Sequence, residues 1–172
     1  MKEEEKEIVE AEEQQLSPVE SQVEEETPYE DEYADWNADV SKWMSINASE
    51  LSMIQERVGL LVSAFDDVES FTESAKFLET KNDLAITFLD YVPQVVEGKV
   101  DWKTELANWK EINDAELIIW ENKIRSLMQA HDFADDFLAG IERFRPKNDI
   151  SKSMVEFLVI YIEKGLELTK SE

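Results

Sequence analysis

From residue 36 onward the apolar residues recur at intervals of three and four, the spacing of one face of an α-helix. Trp36, Val40 and Trp43 step by four and three, and Trp102, Leu106 and Trp109 do the same. Leu51, Ile54, Val58, Leu61 and Phe65 carry the pattern on, mirrored by Leu117, Trp120, Ile124, Leu127 and His131. The spacing predicts, in each half, a short helix (34–45 or 101–111) and a longer one (48–65 or 114–131). A middle segment (67–79 or 133–145) and a last helix (83–97 or 149–168) follow.

The mirroring needs no gap. Shifting the chain by 66 positions places Asp35-Trp36 on Asp101-Trp102, Trp43 on Trp109, Phe71 on Phe137, and Lys81-Asn82-Asp83 on Lys147-Asn148-Asp149. Fifteen of the 64 pairs from Asp35 to Gly98 are identical, where chance at average residue usage gives about four. The fold expected is all-α: a helical bundle of two tandem repeats of 66 residues, over 33–99 and 100–172, that pack as one domain.

The shared positions carry start signals. Asn47 and Glu50, or Asn113 and Glu116, have the spacing of an N-cap and its third-residue partner. Ile46 and Leu51, or Ile112 and Leu117, sit where a hydrophobic staple belongs. A helix is therefore predicted to begin at 48 and again at 114, and another at Asn82-Asp83 and Asn148-Asp149. Pro93 should kink or end the last helix of the first copy before Gly98. Val159 stands in its place in the second copy, whose last helix is apolar around most of its circumference from Met154 to Ile162. Such a helix is central in a bundle or presents a face for self-association.

Charge changes the picture at the N-terminal end. Residues 1–32 hold fourteen acids against Lys2 and Lys6, a net of −12. The other 140 residues hold 41 − 14 = 27 acids and 17 − 2 = 15 Lys or Arg, again −12. Pro18, Pro28 and crowded like charges predict that 1–32 is a disordered acidic tail, suited to solubility or to a basic partner. A net charge of −24 repels phosphate backbones and argues against direct nucleic-acid binding. No stretch approaches the roughly 20 apolar residues of a membrane span. The start Met1-Lys2-Glu3-Glu4-Glu5 is unlike a signal peptide, so a cytoplasmic location without membrane association is expected.

Candidate chemistry is sparse. The chain has no cysteine, which excludes a disulfide framework, a thiolate zinc site and a cysteine nucleophile. There is no Gly-rich phosphate loop or nucleophile elbow, and one histidine in all. His131, Asp132, Asp135 and Asp136 cluster as carboxylate metal sites do, but His131 matches Phe65 on an apolar stripe. No catalytic residue, cofactor or metal ligand is assigned.

The reading that remains is a non-catalytic protein–protein interaction module: an adaptor, scaffold or inhibitor. Its partner is another protein, one with a basic surface if the acidic tail takes part. Contact residues are expected where the copies differ: Trp120, which replaces Ile54, and Phe157 and Tyr161 on the last helix, a surface also open to homo-oligomer formation. The alternatives are an acidic mimic of nucleic acid that blocks a DNA- or RNA-binding protein, and a carboxylate metal-binding helical protein.

Overall fold

Trp36, Val40, Trp43, Asn47, Leu51, Ile54 and Val58 share one helical side only if the chain turns without interruption, and all seven are buried. In the computed structural model, which describes residues 33–171, they lie on a single helix, α1 (Trp36–Ala64). After it come α2 (Val68–Ala75), α3 (Asp83–Val96), α4 (Trp102–Ala130), α5 (Ala134–Ile141) and α6 (Asp149–Lys170). The six helices pack on one another, with no strand among the described residues. The expectation of a disordered tail over 1–32 lies outside those residues. No helix of the described residues is long and apolar enough to cross a membrane.

The break expected before residues 48 and 114 does not occur. Asn47 donates Nδ2 to the carbonyl of Trp43 at 2.9 Å, one turn back on α1. Its Oδ1 accepts the backbone N–H of Leu84, at the start of α3, at 3.2 Å. Asn113 repeats both bonds, to Trp109 O at 2.9 Å and from Ile150 N–H at 3.0 Å. These asparagines do cap a helix, but a neighbouring one. The first amides of a helix have no partner within it, and a side chain from an adjacent helix serves as well as one from the N-cap position. Asn82 and Asn148, which occupy that position, make no side-chain cap bond. Ile46 and Ile112, assigned to staples, are 45% and 56% exposed.

The glutamates one turn further complete the arrangement. Thr80 donates its hydroxyl to Glu50 Oε1 at 2.8 Å and accepts the Asn82 N–H at 3.4 Å. Pro146 stands where a hydroxyl relay would need a threonine. There Glu116 takes the N–H groups of Lys147 (3.0 Å) and Asn148 (2.9 Å) directly.

Contacts between the two halves come in pairs whose members lie 66 positions apart. The Trp36 indole donates to Asp132 O at 3.0 Å, and the Trp102 indole to Asp66 O at 3.2 Å. Their rings rest on Phe137 and Phe71, both at 4.7 Å between centroids. Thr87 on α3 and Ser153 on α6, themselves 66 apart, share a hydrogen bond of 2.8 Å. The helix α6 packs on α3, α4 and α5, which accounts for its apolar circumference. Of its large apolar residues, Ile160 and Leu168 are the ones left well exposed. Pro93 does not break α3, which runs on to Val96 before Gly98 turns the chain at φ 70. So near the helix end the missing N–H forfeits at most one bond.

Ser151 is an imperfection in this core. It is fully buried and its hydroxyl has no hydrogen-bond partner among the described residues. Ala85, at the matching position, is equally buried. An unpaired buried hydroxyl costs about 1–3 kcal/mol, and alanine is the better helix former. Ser151→Ala is therefore expected to stabilise the protein by about 1 kcal/mol, raising Tm by about 3 °C in a thermal melt.

Candidate protein-docking groove

Between each middle helix and the last helix that follows it, the connecting segment stands off and leaves a groove. The first, of about 960 Å³, is lined by Leu78, Thr80, Ile86, Leu89 and Pro93 among others. The second, of about 590 Å³, is lined by Phe144, Arg145, Pro146, Lys152, Val155 and Val159 among others. Nine of the ten residues lining the second have their counterpart, 66 positions earlier, lining the first. The two linings can therefore be compared position by position. Phe144-Arg145-Pro146 stands 66 positions after Leu78-Glu79-Thr80, and Val159 stands 66 after Pro93.

Phe144 is half-buried and forms a ridge with Trp120, their rings 5.1 Å apart. Trp120 stands 66 positions after the fully buried Ile54 and is itself half-buried. The Lys123 ammonium lies 4.1 Å from the Trp120 ring centroid, a cation–π contact. The indole N–H bonds Glu116 Oε1 at 2.9 Å. On the other side of Phe144 is a shallower hollow of about 440 Å³, lined by Lys123, Ser126, Leu127 and Ala130.

The other two predicted contact residues lie elsewhere. Tyr161 is half-buried with its ring 6.1 Å from that of Trp43. Burial, then the Asp39 carboxylate, raises its pKa above the ordinary phenol value. Burial also raises that of Tyr33, with further contributions from Asp39 and Tyr161. Both groups are protonated at neutral pH. The Tyr33 ring lies where a side chain on Gly165 would sit, so any larger residue there would have to displace that ring. Phe157, half-buried against the core, is one turn before Tyr161. At about 100° per residue, Val155 and Val159 point away from that side of α6. Trp120 is thus joined to Phe144 and the second groove, and Phe157 and Tyr161 occupy a different side of α6.

Sequence reasoning missed Phe144, Arg145 and Pro146. The 66-position comparison that singled out Trp120 does mark Arg145 against Glu79 and Pro146 against Thr80, whereas Phe144 against Leu78 keeps its apolar character and gives no signal. His131 is the C-cap of α4 and partly buried. No three His, Asp or Glu side chains among the described residues gather closely enough to hold a metal ion.

Glu116 ties the ridge to the start of α6. Partial burial pushes its pKa up, but the bonds from Lys147 N–H, Trp120 and Asn148 outweigh that and bring it below the ordinary carboxylate value. A carboxylate with a lowered folded-state pKa stabilises the fold above its unfolded pKa of about 4.3, and the contribution is lost as pH falls through the lower folded value. Trp120 fluorescence is therefore expected to titrate on the acid side of pH 4.3, and Glu116→Gln to abolish that transition while leaving the protein folded.

No protein-family model, no curated protein and no solved structure matches this chain.

Proposed function

We propose that this chain is a non-catalytic helical interaction module whose body arose by duplication of one 66-residue unit, and that the second unit binds another protein. The partner seats on the Trp120–Phe144 ridge and the groove beside it. One observation carries this reading: two grooves lined by positions 66 apart exist, and only the second has an aromatic ridge and a guanidinium. Packing alone gives no reason for the matched positions to diverge there. Half-buried aromatic residues flanked by arginine are the side chains that anchor protein interfaces. The duplication reading is supported by the paired contacts of Trp36 with Asp132 and Trp102 with Asp66. The acidic residues 1–32 supply a second contact, to a basic surface on the partner or its complex.

A photo-crosslinking amino acid placed at position 144, and separately at the matched position 78, tests this in extracts of the source cell. A discrete partner crosslinked from 144 and not from 78 is expected. Equal labelling from both, or none from 144, would remove the reading. Repeating the capture with residues 33–172 reports whether the acidic segment contributes.

A further inference from the structure

We propose that the second groove takes an amphipathic helix of its protein partner, with a carboxylate at the end beside the start of α6 and a basic side chain about one turn away. This rests on the reading of that groove as the partner site and specifies what fills it.

Four charged residues line the groove, Glu142, Arg145, Lys152 and Glu156, and their charges cancel. Their order matters more than their sum. The connection from α5 enters α6 at Asp149, and α5 packs on α6, so the two walls of the groove meet there. Arg145 stands four residues before Asp149 on one wall, and Lys152 three residues after it on the other. Glu142 and Glu156 each stand seven residues from Asp149, one on either wall. The cations thus sit at the end beside the start of α6 and the carboxylates at the far end. Lys152 and Glu156 are one turn of α6 apart, about 6 Å. None of the four makes an ion pair within 4.0 Å among the described residues. The Arg145 guanidinium bonds the carbonyls of Glu142 and Phe144 instead of a carboxylate.

The first groove has no such order. Lys76 and Asp90, seven residues either side of Asp83, oppose each other at its far end. At its near end Glu79 and Lys81 are opposite in sign, Ile86 takes the place that matches Lys152, and Glu50 already accepts the Thr80 hydroxyl. A ligand with opposite charges one turn apart therefore finds a matching order only in the second groove.

The rest of that lining is apolar: Ile141, Phe144, Pro146, Val155, Val159 and Ile160. No strand among the described residues offers an edge for an extended peptide. Such a peptide would press unpaired N–H and C=O groups against apolar carbon, which is costly. A helix pairs those groups within itself. It also covers the floor with one face while placing opposite charges a turn apart.

Fluorescence anisotropy of the full-length chain at about 150 mM salt tests this with labelled synthetic peptides that share Leu and Phe at helical spacing. One carries Glu in one half and Lys in the other; a second carries only Glu, a third only Lys, and a fourth is the first with a central proline. Groove binding is read as the part that Phe144→Ser removes, since a chain of net charge −24 attracts a basic peptide elsewhere as well. The mixed peptide is expected to bind the groove most tightly, with the all-Glu and all-Lys peptides each about fivefold weaker, because exposed ion pairs are individually modest. The central proline should cost about tenfold or more. Arg145→Glu with Lys152→Glu should move the preference to the all-Lys peptide, and Glu142→Lys with Glu156→Lys to the all-Glu peptide. Lys81→Glu at the first groove should have no effect, and circular dichroism checks that each variant is folded. Equal groove binding of the three proline-free peptides, a preference that neither exchange moves, or indifference to the proline would overturn the proposal. If the mixed peptide fails to bind at about 1 mM while crosslinking from position 144 succeeds, the groove stands as the partner site and this occupant is wrong. If the crosslinking fails as well, both readings fall.

Discussion

Trp102→Ala is expected to destabilise the protein by about 3–5 kcal/mol, and Trp36→Ala by a similar amount. Each indole is buried, stacks on a phenylalanine of the other half and donates to a carbonyl there. Alanine removes all three contributions and leaves a void that helices packed from both halves cannot close. A domain of this size is stable by only about 5–15 kcal/mol in total, so the loss is large, and urea denaturation would measure it directly. Trp→Phe separates the parts: it keeps most of the ring contact and removes the hydrogen bond, so it should cost about 1–2 kcal/mol more than shape alone explains. The two sites touch different partners, so Trp36→Ala and Trp102→Ala should add within about 0.5 kcal/mol. If neither tryptophan is worth more than about 1 kcal/mol, the halves are not held together by these contacts.

Asn113→Leu comes next in size, at about 2–4 kcal/mol, and Asn47→Leu should match it. Leucine is close to asparagine in volume and suits the apolar surroundings, so a merely space-filling residue would tolerate the change. Here it orphans the buried N–H of Ile150 or Leu84, and an unpaired buried donor costs about 1–3 kcal/mol on top of the lost bond. Hydrogen exchange provides the specific readout: the amide of Ile150 should exchange faster in Asn113→Leu, and that of Leu84 in Asn47→Leu, with the reverse pairings unaffected. Stability unchanged by either leucine would show that these asparagines do not cap across helices.

The same asparagines show what a sequence can and cannot disclose. The spacing Ile-Asn-x-x-Glu-Leu has the form of a local cap, but α1 and α4 run straight through it and the asparagines serve neighbouring helices instead. Chemistry and spacing are the same for an acceptor reaching its own helix or an adjacent one. A better clue was phase. Val40, Trp43, Asn47, Leu51 and Ile54 hold one helical stripe straight through the supposed break, and a new helix would have reset it. Helical class and the burial of Trp36, Trp43 and Trp102 were legible because they depend on periodicity alone. Trp120 stood out as the tryptophan without a counterpart. Its neighbour Phe144 lay in a connection where the matched residue, Leu78, is also apolar, so nothing local marked it, and only folding brings the two rings together.

Thr87 and Ser153 face each other at equivalent positions of the two halves. Two identical subunits around a two-fold axis would have to present the same residue to itself there, and every substitution would appear twice. A continuous chain is free of that constraint, and threonine opposes serine, with one methyl group more on one side than on the other. The same freedom extends to the grooves. Remodelling residues 144–146 leaves residues 78–80 as they were, so a change that strains one connection is not imposed on the other. The asymmetry between the two connections is therefore open to a single chain and closed to a symmetric pair.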